Sequence, residues 1–346
     1  MEQNLKKSDE ILTVEHVSNH YYENQLGIFS KRKKVQVLDD VSLSVRRDEF
    51  FGLVGESGSG KSTLANCVLN LIPFDGTIRV NGRTAKETDR KTFTGDVHAV
   101  FQDPLSALNP RKTIGFTLMQ PLRAHREAMS AAHREAVRAD QGTGTEKEMY
   151  EMAVRMLETV GLDGSYMTRY PHELSGGQRQ RVCIGAALMI EPTLIIADEA
   201  ISALDVSVGS QILNLFQEIH REKDFAMLFI SHNLNVVYYL CDRIAVLYRG
   251  NIVEIGDAED IYHRPAHPYT RLLLSAIPDF AQEGYAAHTD YTGEGVQRED
   301  VPGACCFYHR CPHATDVCLH KPQLRPAATP GAKENGHLSR CILNMT

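Results

Sequence analysis

Residues 55 to 62, Gly55-Glu56-Ser57-Gly58-Ser59-Gly60-Lys61-Ser62, fit the pattern GxxxxGK[ST], in which glycines let backbone N–H groups turn inward around phosphate. The amides of Gly58, Gly60, Lys61 and Ser62 are expected to face the phosphates, backed by the positive end of the helix that follows. Lys61 is placed to bridge β and γ oxygens, Ser62 to offer its hydroxyl to Mg²⁺, and Thr63 to lie near the α-phosphate. Such a loop needs an acidic partner element for the metal. Leu194-Ile195-Ile196-Ala197-Asp198-Glu199 provides one, an apolar strand delivering two carboxylates at its end. Asp198 would hold Mg²⁺ through water, and Glu199 would accept a proton from the attacking water as general base. Alone, two adjacent acids at a strand end read as a solvated edge. The glycine loop upstream reverses that preference.

Of the other groups that could do chemistry, Cys305, Cys306, Cys311, Cys318 and Cys341 cluster towards the end of the sequence. Four such thiolates would suit a [4Fe–4S] cluster or tetrahedral zinc if they met at one point, and the absence of close CxxC pairs would then favour iron–sulfur over zinc. Cys306 is an extra thiol that competes with Cys305 for the place of first ligand. His309, His313, His320 and His337 lie nearby and are not expected to ligate. Cys67, Cys183 and Cys241 stand singly in apolar stretches and read as buried thiols.

The elements that must position these groups follow from patterning. Strands are expected at 11–17, as a pair at 37–45, and at 49–54, 77–80 and 97–101, with a helix over 63–71 straight after the glycine loop. From 105 to 173 helix formers dominate without a convincing strand, and Met149, Met152, Met156 and Val160 recur at helical spacing as a packing stripe. A loop is expected at 141–145. Fully apolar strands return at 194–197 and 225–231, as parallel strands covered on both faces should be. The segment 281–303, poor in large apolar residues, reads as a linker setting the cysteines apart from the phosphate site.

The chain has 346 residues, 37 Lys and Arg against 44 Asp and Glu, a net charge of −7, 42% hydrophobic and 23% charged residues. That is the composition of a globular protein, and it excludes one that relies on a basic face for nucleic acid. No run approaches the length that spans a bilayer, and the polar start lacks the apolar stretch of a secretory signal, so a cytosolic setting that disfavours disulfides is expected.

Leu174-Ser175-Gly176-Gly177-Gln178 opens a helix and has no use at the chain's own glycine loop. This pentapeptide resembles the signature of the ABC ATPase family, and the other elements fall in that family's order over residues 11 to about 278. Gln102 resembles the Q-loop, Ser202-Ala203-Leu204-Asp205 the D-loop, and His232 the switch histidine, while Tyr21 stands where the family stacks a ring under adenine. The decapeptide from Phe101 to Pro110 and His267-Pro268-Tyr269-Thr270-Arg271-Leu272-Leu273 resemble the branch of importers for dipeptides and oligopeptides, which ends in a cysteine-bearing, cluster-binding extension whose pattern is matched here by Cys305-x5-Cys311-Pro312-x5-Cys318, followed by Cys341.

The resemblance implies an α/β fold: a P-loop ABC ATPase core over 11–278 with an inserted helical subdomain at about 105–173, then a linker and small cysteine-rich C-terminal extension over 279–346. It implies that Gly55, Ser57, Gly58, Gly60, Lys61, Ser62, Thr63, Tyr21 and Asp198 bind ATP and Mg²⁺, with Ser62, Gln102 and Asp198 at the metal. Glu199, His232 and Gln102 would be catalytic. Ser175, Gly176, Gly177, Gln178 and Asp205 would close on ATP held by a second ATPase subunit, identical or a paralogue. Further partners would be two transmembrane permease subunits and, indirectly, an extracytoplasmic binding protein, which places the chain peripherally on the cytoplasmic membrane face. A nickel chelate or other small solute is the alternative cargo, and a soluble ABC ATPase with a regulatory metal site is the alternative class. The chain departs from the family pattern at Ala200, where proline is usual, and at Ala186, where arginine is usual.

Overall fold

In a computed structural model describing residues 10–23, 33–88, 90–128, 145–277, 298–327 and 336–342, the first alternating stretch is a long strand, β1 (Glu10–Glu23). β2 (Lys33–Arg46), β3 (Phe50–Val54) and, after the glycine loop, helix α1 (Lys61–Val68) follow. Next come β4 (Asp75–Val80), β5 (Arg83–Thr84), α2 (Arg90–Asp96), β6 (Val97–Val100), α3 (Pro104–Ala107), α4 (Ile114–Ala128), α5 (Glu146–Thr159) and α6 (Gly176–Leu188). Then follow β7 (Leu194–Asp198), α7 (Val206–Glu222), β8 (Ala226–Ser231), α8 (Leu234–Leu240), β9 (Arg243–Tyr248) and β10 (Asn251–Asp257). α9 (Ala258–His263), α10 (Pro268–Ser275), β11 (Arg325–Pro326) and β12 (Leu338–Ser339) complete the order. The strand pair expected at 37–45 is one continuous strand, because Asp40 absorbs the irregularity at φ 57 without ending the ladder. Except for Thr145 and residues 298–303, the expected loop at 141–145 and linker at 281–303 lie outside the described residues.

The chain forms two compact units, one of residues 1–12, 45–48 and 79–228, the other of 13–44, 49–78 and 229–346. In the first unit β6 and β7 run parallel, with Val97 opposite Leu194 and Val100 opposite Ala197. The first four residues of β7 are buried, the pattern of a strand covered on both faces. α4, α5 and α6 pack together, and no strand occurs among the described residues of 105–173. Met149, Met156 and Val160 are buried in this packing and Met152 is half-buried, so the stripe is core. A Cβ on Gly185 would stand 3.2 Å from Met156 and 3.4 Å from Leu118, so the small residue sets how closely α6 approaches its neighbours.

The second unit carries strands in the order β11-β12-β10-β9-β3. β3 and β9 are parallel, with Val54 opposite Val246, whereas β9 and β10 form a hairpin closed by Arg249 and Gly250 at φ 44 and 74. Two positive φ values in a two-residue connection are what the twist of the flanking strands demands. Glycine at 250 also answers a close approach, since a Cβ there would meet the Val37 carbonyl oxygen at 2.1 Å. Glu254 of β10 is fully buried. Its carboxylate accepts from the backbone N–H groups of Ala266 at 2.7 Å and His267 at 2.8 Å and from the Thr270 hydroxyl at 2.5 Å, and it faces His337 Nε2 at 2.6 Å. A buried carboxylate survives only with such partners, and here they tie β12 and the start of α10 to the sheet.

Candidate functional site

In the second unit β3 delivers the glycine loop. A Cβ on Gly55 would meet the Leu247 carbonyl oxygen at 2.2 Å, so only glycine lets the loop leave the sheet beside β9. Gly58 and Gly60 take φ 78 and 107, turning successive amides to one side as an anion nest requires. The Gly250 N–H donates to the Ser59 carbonyl at 2.8 Å, pinning the loop to the β9–β10 turn. Gly60 is the N-cap of α1 and offers no side chain to cap it, whereas Ser175, Asp205 and Asn233 cap α6, α7 and α8 with theirs. The first turn of α1 is thereby left for an anion. Lys61 is only 5% exposed, and its Nζ donates to the carbonyls of Gly55 at 2.8 Å and Glu56 at 3.0 Å. Ser57, Gly58 and Ser62 are exposed and Thr63 half-buried. These donors fit phosphate, and the Ser62 hydroxyl fits an octahedral metal that keeps most of its water. Tyr21 on β1 is 52% exposed, a ring face free for stacking, and His232 is exposed just after β8.

In the first unit the parallel register places the ends of β6 and β7 side by side. Gln102 therefore follows β6 beside Asp198 and Glu199, the residues at the C-terminal end of β7. Gln102 is exposed and both acids are half-buried. Glu199 sits at φ 48, with the Ser202 N–H and hydroxyl donating to its carbonyl at 3.1 and 2.9 Å. A residue before proline is steered to extended backbone, so alanine at 200 is what allows this left-handed glutamate.

The signature opens α6 in a capping box. Ser175 Oγ accepts from the Gln178 N–H at 3.3 Å, and Gln178 Oε1 accepts from the Ser175 N–H at 2.9 Å. Gln178 also donates to the Tyr166 hydroxyl at 2.9 Å, so its side chain serves the helix start. The Ser175 hydroxyl accepts in this box and keeps its own proton to donate outward. Gly177 lies against α7, where a Cβ would meet Val208 at 2.5 Å, while Gly176 is open, its nearest neighbour being Leu204 at 3.6 Å. Asp205 caps α7; the Val208 N–H and then the Ser207 hydroxyl hold its carboxyl below the usual range.

Cys305, Cys311, Cys318 and Cys341 line one small cavity together with His267, Phe307 and Ile342, so the four expected thiols do converge. Among the described residues no three His, Cys, Asp or Glu side chains are arranged to hold a metal, so the convergence stops short of coordination geometry. Cys306 does not line the cavity; its free thiol hydrogen-bonds to that of Cys305, which lowers the Cys305 thiol with help from His267 while its own rises. Burial pushes Cys311 up to about 12. His309 is 3.1 Å from the Tyr248 hydroxyl and His337 is engaged by Glu254. Cys67, Cys183 and Cys241 are buried with raised thiols, as their apolar surroundings dictate.

The cysteine segment does not stand apart from the glycine loop. Arg310 Nη1 donates to both Glu56 carboxylate oxygens at 3.1 and 2.9 Å, and the Glu56 N–H donates to the Tyr269 hydroxyl at 2.9 Å. In the sequence Tyr269 stands out only within the branch motif, and Arg310 carries no signal.

Comparison with known proteins bears on both ends of the chain. The family model "ABC transporter" matches residues 38–202, and "Oligopeptide/dipeptide transporter, C-terminal region" matches residues 253–318. A putative peptide import ATP-binding protein of Brucella ovis is 41% identical over 96% of this chain and 97% of its own length. The oligopeptide transport ATP-binding protein OppF of Escherichia coli is 40% identical over 83% of each chain. Among solved structures, an ATP-binding cassette seen as a post-hydrolysis dimer with ADP and Pi is 26% identical at TM-score 0.57, covering 71% of this chain and 98% of its own. The cbiO1 protein of Clostridium perfringens shares the fold at TM-score 0.59 and 23% identity, covering 74% of this chain and 92% of its own.

Proposed function

The chain belongs to the ABC transporter ATPases, in the branch of the oligopeptide and dipeptide importers, and from that premise we propose how its residues divide the work. It is the ATP-hydrolysing subunit that powers uptake of dipeptides or oligopeptides through a membrane importer. The observation that carries the catalytic half is the glycine loop with Lys61 at its mouth and an α1 start without a side-chain cap. Lys61 leaves its two carbonyls to bridge β and γ oxygens, and the amides of Gly58 and Gly60 receive the phosphates. Ser62 would offer its hydroxyl to Mg²⁺ and Asp198 would hold the ion through water, and the metal would supply charge neutralisation when bound. Glu199 would accept the proton of the attacking water, His232 would contact the γ-phosphate, and Gln102 would relay the state of the metal site to the permease. Ser175 and the amides of Gly176 and Gly177 act on ATP held by a second ATPase subunit.

Residues from about 105 to 173, with α4 and α5 among their helices, would constitute the inserted helical subdomain, and 279–346 the linker and cysteine-rich extension. A groove of about 600 Å³ in the first unit, lined by Phe101, Leu108, Thr117, Pro121 and His125, supports docking of a permease segment. Ala186 lines it too, so the alanine standing in for the family's arginine leaves the groove wider. No helix among the described residues is long and apolar enough to cross a membrane, and attachment at the cytoplasmic face would run through the permease pair. Co-expression with two permease subunits and a binding protein should give membranes that retain this chain and take up labelled peptides with ATP. Uptake of a nickel chelate alone would select the alternative cargo, and a chain that never accompanies membrane subunits would overturn the importer reading.

For the cysteine cavity we favour a [4Fe–4S] cluster on Cys305, Cys311, Cys318 and Cys341, supported by the convergence of these four thiols. Protein prepared without oxygen should carry about four irons and four sulfides per chain and absorb near ~400 nm. One zinc without sulfide would select the zinc alternative. Absence of both ends the metal reading.

A further inference from the structure

The turn 305–311 is framed by two of the cavity cysteines and folded on itself: the Tyr308 N–H donates to the Cys305 carbonyl at 2.9 Å and the Cys311 N–H to that of Phe307 at 2.9 Å. It presents three side chains to the rest of the second unit. Phe307, 1% exposed, packs its ring 5.3 Å from Tyr248 and 5.5 Å from Tyr269. His309 meets the Tyr248 hydroxyl, and Arg310 grips Glu56, the second residue of the glycine loop. Glu56 is thus held twice, at its carboxylate by Arg310 and at its N–H by the hydroxyl of Tyr269, whose ring rests on Phe307. Lys61 donates to the Gly55 carbonyl, whose peptide carries the Glu56 N–H, and to the Glu56 carbonyl, so the backbone held here also positions the phosphate-binding ammonium.

We infer that Arg310, with Tyr269, is a positioning residue for the nucleotide loop, through which the cysteine-bearing extension sets ATP affinity. This rests on the nucleotide reading above. Two physical effects act in one direction. Fixing Glu56 removes loop freedom that ATP would otherwise have to freeze out. Pairing its carboxylate also cancels a negative charge on a loop built to receive a triphosphate. The pair is partly exposed, with side chains 30% and 42% accessible, so the effect is moderate rather than all-or-none.

The test is equilibrium binding of a fluorescent ATP analogue with ATP competition, and KM and kcat in the assembled transporter. Arg310→Ala should raise the ATP dissociation constant and KM about three- to tenfold, with kcat changed less than about twofold, as a screened pair allows. Arg310→Lys should stay within about twofold, and Arg310→Ala in a Glu56→Gln background should add less than about twofold, because Arg310 works through that carboxylate. Tyr269→Phe, which deletes only the hydroxyl, should weaken binding about two- to fivefold and serves if Arg310→Ala does not fold. Wild-type affinity in both Arg310→Ala and Tyr269→Phe overturns the inference, as does an Arg310→Ala loss undiminished in the Glu56→Gln background, or one confined to kcat. A wild-type chain that binds no ATP would instead overturn the nucleotide reading and this inference together.

Discussion

Glu199→Gln should bind ATP as tightly as the wild type and lose turnover by about two to four orders of magnitude, the usual contribution of a positioned general base. The substitution keeps the size and shape of the side chain and removes only its ability to take a proton. The left-handed backbone at φ 48 and the two bonds from Ser202 to the Glu199 carbonyl involve main chain, which glutamine preserves. With ATP bound and hydrolysis blocked, the contact between subunits has no route to release, so the variant should accumulate as a closed dimer. Steady-state turnover and native mass with ATP decide the matter; turnover near wild type would remove Glu199 from the mechanism.

Lys61→Ala should fail at the earlier step. Its ammonium is almost wholly buried and makes charge-assisted bonds to the Gly55 and Glu56 carbonyls. On the proposed nucleotide reading those bonds would be exchanged for bonds to phosphate oxygens, each worth about 1.5–3 kcal/mol for a charged hydrogen bond. The ATP dissociation constant should rise by about ten- to a hundredfold or more, read by calorimetry with unfolding followed separately. Unchanged affinity would contradict the phosphate cradle. The same variant tests whether the signature acts on a partner's nucleotide. Mixed with Gly176→Asp subunits, Lys61→Ala should regain one complete site per heterodimer, and a mixture no more active than either variant alone removes that role. Gly176 is the better choice because it is open, whereas any side chain at Gly177 drives into Val208 and confounds function with folding.

Residue types and spacing alone determined the chemistry that a local backbone can encode. Three glycines, a lysine and a serine at set intervals leave a turn few alternatives, and the structure realises it with the φ values of Gly58 and Gly60. An uninterrupted apolar strand ending in two acids, a methionine stripe at helical period and serine before glycine at a helix start are likewise local statements. Each was met as β7, as the buried face of α5 and as the capping box of α6. The convergence of four distant cysteines was foreseen only through the family pattern. The β9–β10 hairpin has only a weak local signal, because Arg249 stands where Asn, Asp or Gly would announce a turn with two positive φ values. What only the tertiary structure decided were pairings between common residues far apart in the chain. Arg310 meets Glu56 across 254 positions, His337 meets Glu254 across 83, and the Tyr269 hydroxyl receives the Glu56 N–H across 213. Arginine, glutamate and tyrosine carry no periodicity that names a partner. Their pairing is set by where the burial of Phe307 and the strand register bring the backbone, and that is a property of the packed chain rather than of any window along it.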